Sequence, residues 1–163
     1  GQCIVYALMS IFAQQENYDG ALDLGRLLVA QLEEAGRGAE AAAALAVVVG
    51  HNWPVFIRFK GGKGIASGWG GLFVLSPIAG LVATLVGLPL IAFTRYVSLA
   101  SISSAVLGSL ALIILAALGH LPLAYIWFGA IGSVLVVARH RENIQRLLSG
   151  TERKLGQQAE AAS

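Results

Sequence analysis

The sequence predicts an all-α, polytopic helical membrane protein. Apolar residues make up 56% of the chain and charged residues only 12%, against about 45–50% and about 25% in soluble domains. The charges are also bunched. No Asp, Glu, Lys or Arg occurs in the 31 residues between Lys63 and Arg95, nor in the 43 between Arg95 and Arg139. A helix crosses a hydrocarbon core about 30 Å thick with roughly 20 residues, so the second interval is long enough for two crossings.

Residues 1–13 form an apolar run too short to span, and without a basic leading region they do not read as a signal peptide. Residues 14–40 differ. Leu22, Leu24, Leu27, Leu28 and Leu32 alternate with Asp23, Arg26, Glu33 and Glu34 near helical period, which predicts an amphipathic helix ending near Gly36 and Gly38. This gives a division into an atypical amino-terminal segment (1–40), a helical membrane domain (41–150) and a polar tail (151–163) expected to fray.

An Ala/Val-rich helix over Ala39–Val49 leads into Gly50-His51, and Pro54 pushes the preceding residue out of helical geometry. The glycine-rich loop Gly61-Gly62-Lys63-Gly64 follows. Residues 65–94 permit two readings. One long tilted helix could cross, or Pro77 could break the stretch into two short helices that return the chain to its starting side, a geometry tolerated where protein surrounds the break. Arg95-Tyr96 marks an interface. A helix then runs through Leu118, Gly119–Pro122 turns the chain, and a last helix covers about Leu123 to Ala138.

Charge adds a constraint on partners. Residues 1–50 carry two basic and six acidic side chains, and residues 51–163 carry nine basic and three acidic. Helices embedded in apolar stretches make a poor duplex reader, so no nucleic-acid partner is expected. Anionic headgroups or phosphorylated metabolites suit the basic half better. The single Cys3 excludes an internal disulfide or thiolate cluster, and the scattered histidines offer no metal site.

Three polar clusters stand out in the greasy chain: His51 with Arg58, Lys60 and Lys63; Arg95 with Ser98 and Ser101; and Arg139–Arg146. Glycine lets consecutive amides approach an anion, and no acidic residue lies between Glu40 and Glu142 to neutralise these cations. The spacing is not that of a nucleotide-binding phosphate loop. In RHRENIQR, His140 and Asn143 are three residues apart and can share a helix face. Trp53, Trp69 and Trp127 read as packing residues. Ser98 sits in no nucleophile elbow, and acyl transfer needs no protein nucleophile when the acceptor brings its own hydroxyl.

Together, GHNWPVFIRFKGGKGIAS (Gly50–Ser67), RYVSLASI (Arg95–Ile102) and RHRENIQRLLSGTE (Arg139–Glu152) closely resemble the bacterial membrane glycerol-3-phosphate acyltransferases that use acyl phosphate. The resemblance covers about residues 45–153. It implies a multi-pass protein of the cell inner membrane with a cytoplasm-facing site. The implied reaction is acyl transfer from acyl phosphate to the 1-hydroxyl of glycerol 3-phosphate, giving lysophosphatidic acid and phosphate in phospholipid biosynthesis. No cofactor is implied, and membrane phospholipids are expected neighbours.

By the same resemblance His140, Asn143 and Ser98 are catalytic, and His51, Lys60, Gly61, Gly62, Lys63, Gly64, Arg95 and Glu142 contact or organise substrate. Lys63 and Arg95 take phosphate, and His140 polarises or deprotonates the acceptor hydroxyl. The resemblance also favours the broken-helix reading, with polar loops converging on one membrane face. Residues 1–44 do not carry the family's Gly/Ser/Asn motifs, which implies an amino-terminally divergent or incomplete member. Two alternatives stand beside the enzyme: an inactive remnant or lipid-binding protein on the same scaffold, and, more distantly, a transporter.

Overall fold

The computed structural model describes residues 18–53 and 61–157. Among them run helices α1 (Tyr18–Asn52), α2 (Ile65–Leu75), α3 (Pro77–Thr94), α4 (Val97–Ala117), α5 (Tyr125–Arg139) and α6 (Arg141–Leu148), with no strand. The chain divides into two compact units, Gly1–Ala39 and Glu40–Ser163. The apolar run at residues 1–13 lies outside the described residues.

One expectation is corrected at once. α1 does not stop near Gly36 and Gly38 but continues to Asn52. Glycine is an effective stop where the chain turns left-handed, and neither of these glycines has a positive φ. Each costs about 1 kcal/mol relative to alanine in a helix. The stretch Ala39–Ala44, alanine at five of six positions, favours continuation. α1 ends just before Trp53-Pro54, where the proline restricts its predecessor.

The stretch from 65 to 94 is broken. Ser76 is extended (φ −157°, ψ 106°), caps α3 by accepting from Ala79 N through its Oγ, and precedes Pro77 at the first helical position. Packing shows the direction of the two pieces. Added Cβ atoms at Gly80 and Gly87 would meet Phe73 and Trp69 respectively. These pairs lie symmetrically about the break, so α2 and α3 form an antiparallel hairpin. α2 has 11 residues, about 16 Å of helix, too short to span alone.

A second reversal occurs at Arg95, whose left-handed φ of 62° ends α3. α4 then packs back along α3, with Gly87 against Ser104 and Gly108 against Ala83. Small residues let the two backbones approach closely, as membrane helix pairs require. α5 returns once more, with Gly129 against Ile113 on α4 and Phe128 against Gly71 on α2. Leu72, Ala79, Ala83, Leu112 and Phe128 form the buried centre. Val48 and Ala41 of α1 join them, and Tyr125 Oη donates to Glu40 Oε2 at 2.5 Å.

The outside is apolar as well. Phe93 is 88% and Val74 82% exposed, and Leu85, Trp127 and Val134 also face outward. Such a surface would be a liability in water and is what lipid tails require. α3 and α4 have the length and composition to cross a bilayer.

Candidate active site

The glycine loop is held from three directions. Gly62 N donates to His51 O at 3.1 Å, and the His51 ring lies so close that a Cβ at Gly62 would collide with its Nε2. Gly64 has φ +73°, and a Cβ there would come within 2.9 Å of Asn52 Nδ2. Gly64 therefore needs glycine for its backbone conformation, whereas a side chain at Gly62 would displace the His51 ring. From the opposite side, Arg139 Nη2 donates to Gly62 O at 3.2 Å, while its guanidinium lies 5.6 Å from the Trp53 ring centroid. Lys63 leaves this loop and donates to Asn143 Oδ1 at 2.5 Å. Gly64 supplies no side-chain cap to α2. The first amides of that helix therefore add positive potential beside the Lys63 ammonium.

The junction of α5 and α6 supplies the opposite wall. His140 is 2% exposed, and its Nδ1 lies 2.8 Å from Val136 O. A carbonyl can only accept, so Nδ1 carries the hydrogen and the neutral ring keeps its lone pair on Nε2. Burial lowers the His140 pKa below its ordinary 6.5. The Val136 bond opposes that shift, and Lys63 and Arg139 reinforce it.

Asn143 links two charges. Its oxygen takes Lys63, and its Nδ2 donates to Glu152 Oε1 at 2.6 Å. Arg146 Nε donates to the other carboxylate oxygen at 2.7 Å. Burial alone would raise the Glu152 pKa, but Asn143, Ser98 and Arg146 together hold it below 4.5. Ser98 Oγ is buried and meets hydrogen-bond geometry with no described atom. Its effect on Glu152 is therefore proximity rather than a formed bond.

Lys63, Ser98, His140, Asn143 and Glu152 all line one open cleft of about 540 Å³, with Ile65, Ala66, Trp69, Val97, Ser101 and Arg153. Ile65, Trp69 and Ser101 also line a mostly apolar slot that runs on between α2, α4 and α5, past Leu72 and Ala105 to Phe128 and Val136. The slot itself has only about 20 Å³, room for about one water molecule.

Other expected site residues lie elsewhere. His51 and the glycines shape the loop without lining the cleft. Arg95 lines neither chamber: its Nε and Nη2 both donate to Leu155 O, at 3.0 and 2.6 Å, and Leu155 N donates back to Arg95 O. Glu142 is exposed beside Trp53, Arg139 and Arg141, in an opening that also touches Lys63. Lys60 and Arg58 lie outside the described residues. The frayed tail expected from Thr151 is corrected over its first seven residues. Thr151 N and Glu152 N both donate to Arg146 O, and Leu155 is fastened to Arg95. Sequence reasoning thus missed Glu152, while Arg146 already stood in the third polar cluster. The available signal was the second carboxylate of the quoted RHRENIQRLLSGTE stretch, followed directly by Arg153 and Lys154.

A family model described as glycerol-3-phosphate acyltransferase matches residues 7–150. The chain belongs to the glycerol-3-phosphate acyltransferase family. Its relatives include a glycerol-3-phosphate acyltransferase of Halalkalibacterium halodurans, 44% identical over 135 residues, covering 82% of this chain and 66% of the relative. Another, from a Thermoanaerobacter species, is 47% identical over 118 residues, covering 72% and 58%. This family member therefore spans less than two thirds of the length of these relatives.

Two crystal structures of PlsY, an integral membrane glycerol 3-phosphate acyltransferase, superpose with a TM-score of 0.63 at 42% identity. One is the glycerol 3-phosphate form and the other the lysophosphatidic acid form, and each matches 69% of this chain. They cover 54% and 55% of the PlsY chains. The glycerol-3-phosphate acyltransferase family and the helical membrane architecture are thus both shown for this chain.

Proposed function

We propose that this site transfers a fatty acyl group from acyl phosphate to the 1-hydroxyl of glycerol 3-phosphate, giving lysophosphatidic acid and phosphate. The observation that carries the reading is a buried, neutral His140 with its lone pair on Nε2, lining the same cleft as the Lys63 ammonium. Lys63 and the amides opening α2 favour a phosphate dianion. His140 Nε2 accepts the proton of the acceptor hydroxyl, whose oxygen forms the new bond to the acyl carbonyl carbon. The bond from that carbon to the bridging oxygen breaks, and phosphate leaves with the proton from His140. Among the described residues the Ser98 hydroxyl has no hydrogen-bonded base, which supports attack by the acceptor itself rather than through an acyl-serine.

The cations Lys63, Arg139, Arg141 and Arg146 belong to segments around the cleft, and the positive-inside tendency supports a cytoplasm-facing site in a bacterial inner membrane. Purified protein in detergent should release phosphate from acyl phosphate only when glycerol 3-phosphate is present, with lysophosphatidic acid formed in equal amount. Folded protein giving no acylated product would sink the enzyme reading. It would favour a lipid-binding member on the same scaffold, a reading kept open because the chain spans only part of its relatives.

A further inference from the structure

Lys63 and Glu152, the two charged side chains that Asn143 joins, leave the cleft between them without net charge. The remaining charged residue of its lining is Arg153. The excess positive charge of a cleft that must take a phosphate dianion is therefore that of Arg153. A second opening of about 360 Å³ shares Asn143, Glu152 and Arg153 with the cleft and adds only Arg146. Here Arg146 and Glu152 are ion-paired at 2.7 Å, and Arg153 is again the charge left over.

The neighbours of Arg153 hold it at this boundary. On one side Glu152 N donates to Arg146 O at 3.1 Å, and on the other Leu155 N donates to Arg95 O at 2.7 Å. Lys154 is engaged elsewhere, its ammonium 5.4 Å from the Tyr96 ring centroid. The backbone is thus fixed on both flanks of Arg153. Its side chain is exposed and forms no hydrogen bond or ion pair among the described residues. An uncompensated cation at the edge common to two openings draws anions toward both.

Two phosphate-bearing substrates meet in the proposed reaction, and the two linings tell them apart. The cleft offers Ile65, Ala66, Trp69 and Val97 beside its polar groups, a wall that an acyl phosphate can lie against. The second opening is lined by no apolar residue and suits a solute without hydrocarbon. We propose that Arg153 binds the phosphate of glycerol 3-phosphate at this polar opening. This rests on the acyl-transfer reading and adds a substrate-binding residue to it. Because the openings share Asn143 and Glu152, a solute held by Arg153 is already at the edge of the cleft that His140 lines.

Arg153→Gln removes the charge and Arg153→Lys keeps it. Calorimetric titration with glycerol 3-phosphate in a neutral detergent, without acyl donor, reads the contact independently of turnover. At about 0.01 M salt, where charges act over about 30 Å, R153Q should bind about fivefold more weakly than the parent. At about 1 M salt, where that range is about 3 Å, the gap should narrow to about twofold or less. R153K should stay within about twofold of the parent, and inorganic phosphate should follow the same pattern. Lys154→Gln, the same charge change one residue away, should leave the affinity within about twofold, and KM for acyl phosphate should be equally unmoved in R153Q.

An R153Q protein that binds glycerol 3-phosphate like the parent at low salt overturns the proposal. So does an equal loss in K154Q, which would trace the effect to net charge alone, and so does an R153K protein as weak as R153Q. A matching rise in KM for acyl phosphate gives Arg153 to the other substrate and overturns it too. A parent that binds glycerol 3-phosphate with this charge dependence but makes no lysophosphatidic acid overturns the reaction reading alone.

Discussion

Lys63 Nζ lies 2.5 Å from Asn143 Oδ1, joining the glycine loop to α6 across 80 residues of sequence. The same amide passes the interaction on to Glu152, so a cation and a carboxylate are held apart by one neutral side chain. Asn143→Ala should leave both charges without their bridge. We expect kcat/KM to fall at least about tenfold, since each charge-assisted bond contributes about 1.5–3 kcal/mol. Steady-state kinetics beside a thermal unfolding curve would check it.

His140 sets a pH dependence. Its pKa lies below 6.5 because burial disfavours the imidazolium. The unfolded chain therefore binds the proton more readily, and this contribution to stability is full above 6.5 and declines as pH falls through the folded value. Turnover should rise with pH over the same window, with the midpoint of the rise below 6.5. His140→Gln should abolish that limb of the rate profile.

Glu152 acts lower on the pH scale with the same sign. Its carboxylate is held below 4.5, so the stability it contributes is present above 4.5 and lost as pH falls through the folded value. Unfolding midpoints measured from pH 7 to pH 3 should decline first with His140 and then with Glu152. Glu152→Gln should remove the second decline and move the first to lower pH, because the Glu152 charge favours the His140 imidazolium.

Gly64→Ala should cost about 1–2 kcal/mol from its left-handed backbone alone, with further loss from contact with Asn52. Gly70→Ala is the control. Gly70 is helical with nothing within 4 Å of an added Cβ, and the change should be neutral or stabilising by up to about 1 kcal/mol. Denaturation of both variants in the same detergent tests the pair.

Arg95→Ala should release the stretch around Leu155, which Arg95 holds by its backbone carbonyl. Arg153 and Lys154 are exposed next to the anchor at Leu155. Losing about 1.5 kcal/mol of anchoring should speed tryptic cleavage there about tenfold. Unchanged cleavage would mean the tail is held by other contacts.

The architecture was legible because two charge-free intervals and Pro77 report on hydrocarbon directly. His140 and Asn143 were legible too, since helical spacing alone can bring them to one face. Arg95 and Glu152 were not. Whether a guanidinium meets substrate or a backbone carbonyl depends on where a tail 60 residues later folds back. Glu152 is tied into the cleft by Asn143 and Arg146, and a carboxylate near a polar terminus gives no sign of burial. Gly36 and Gly38 misled for a related reason: composition marks where a helix can stop, and only backbone geometry shows where it does.

The reversal at Ser76-Pro77 has a consequence for how the chain enters a bilayer. With α2 and α3 forming one hairpin and α4 and α5 another, residues 61–157 begin and end on the same side. The reversals at the other ends of these helices are Ser76-Pro77 and the Gly119–Pro122 turn, and neither carries a lysine, arginine or carboxylate. Neither hairpin drags a lysine, arginine or carboxylate through the lipid. Lys63, Arg139, Arg141 and Arg146 are therefore gathered without any of them being translocated.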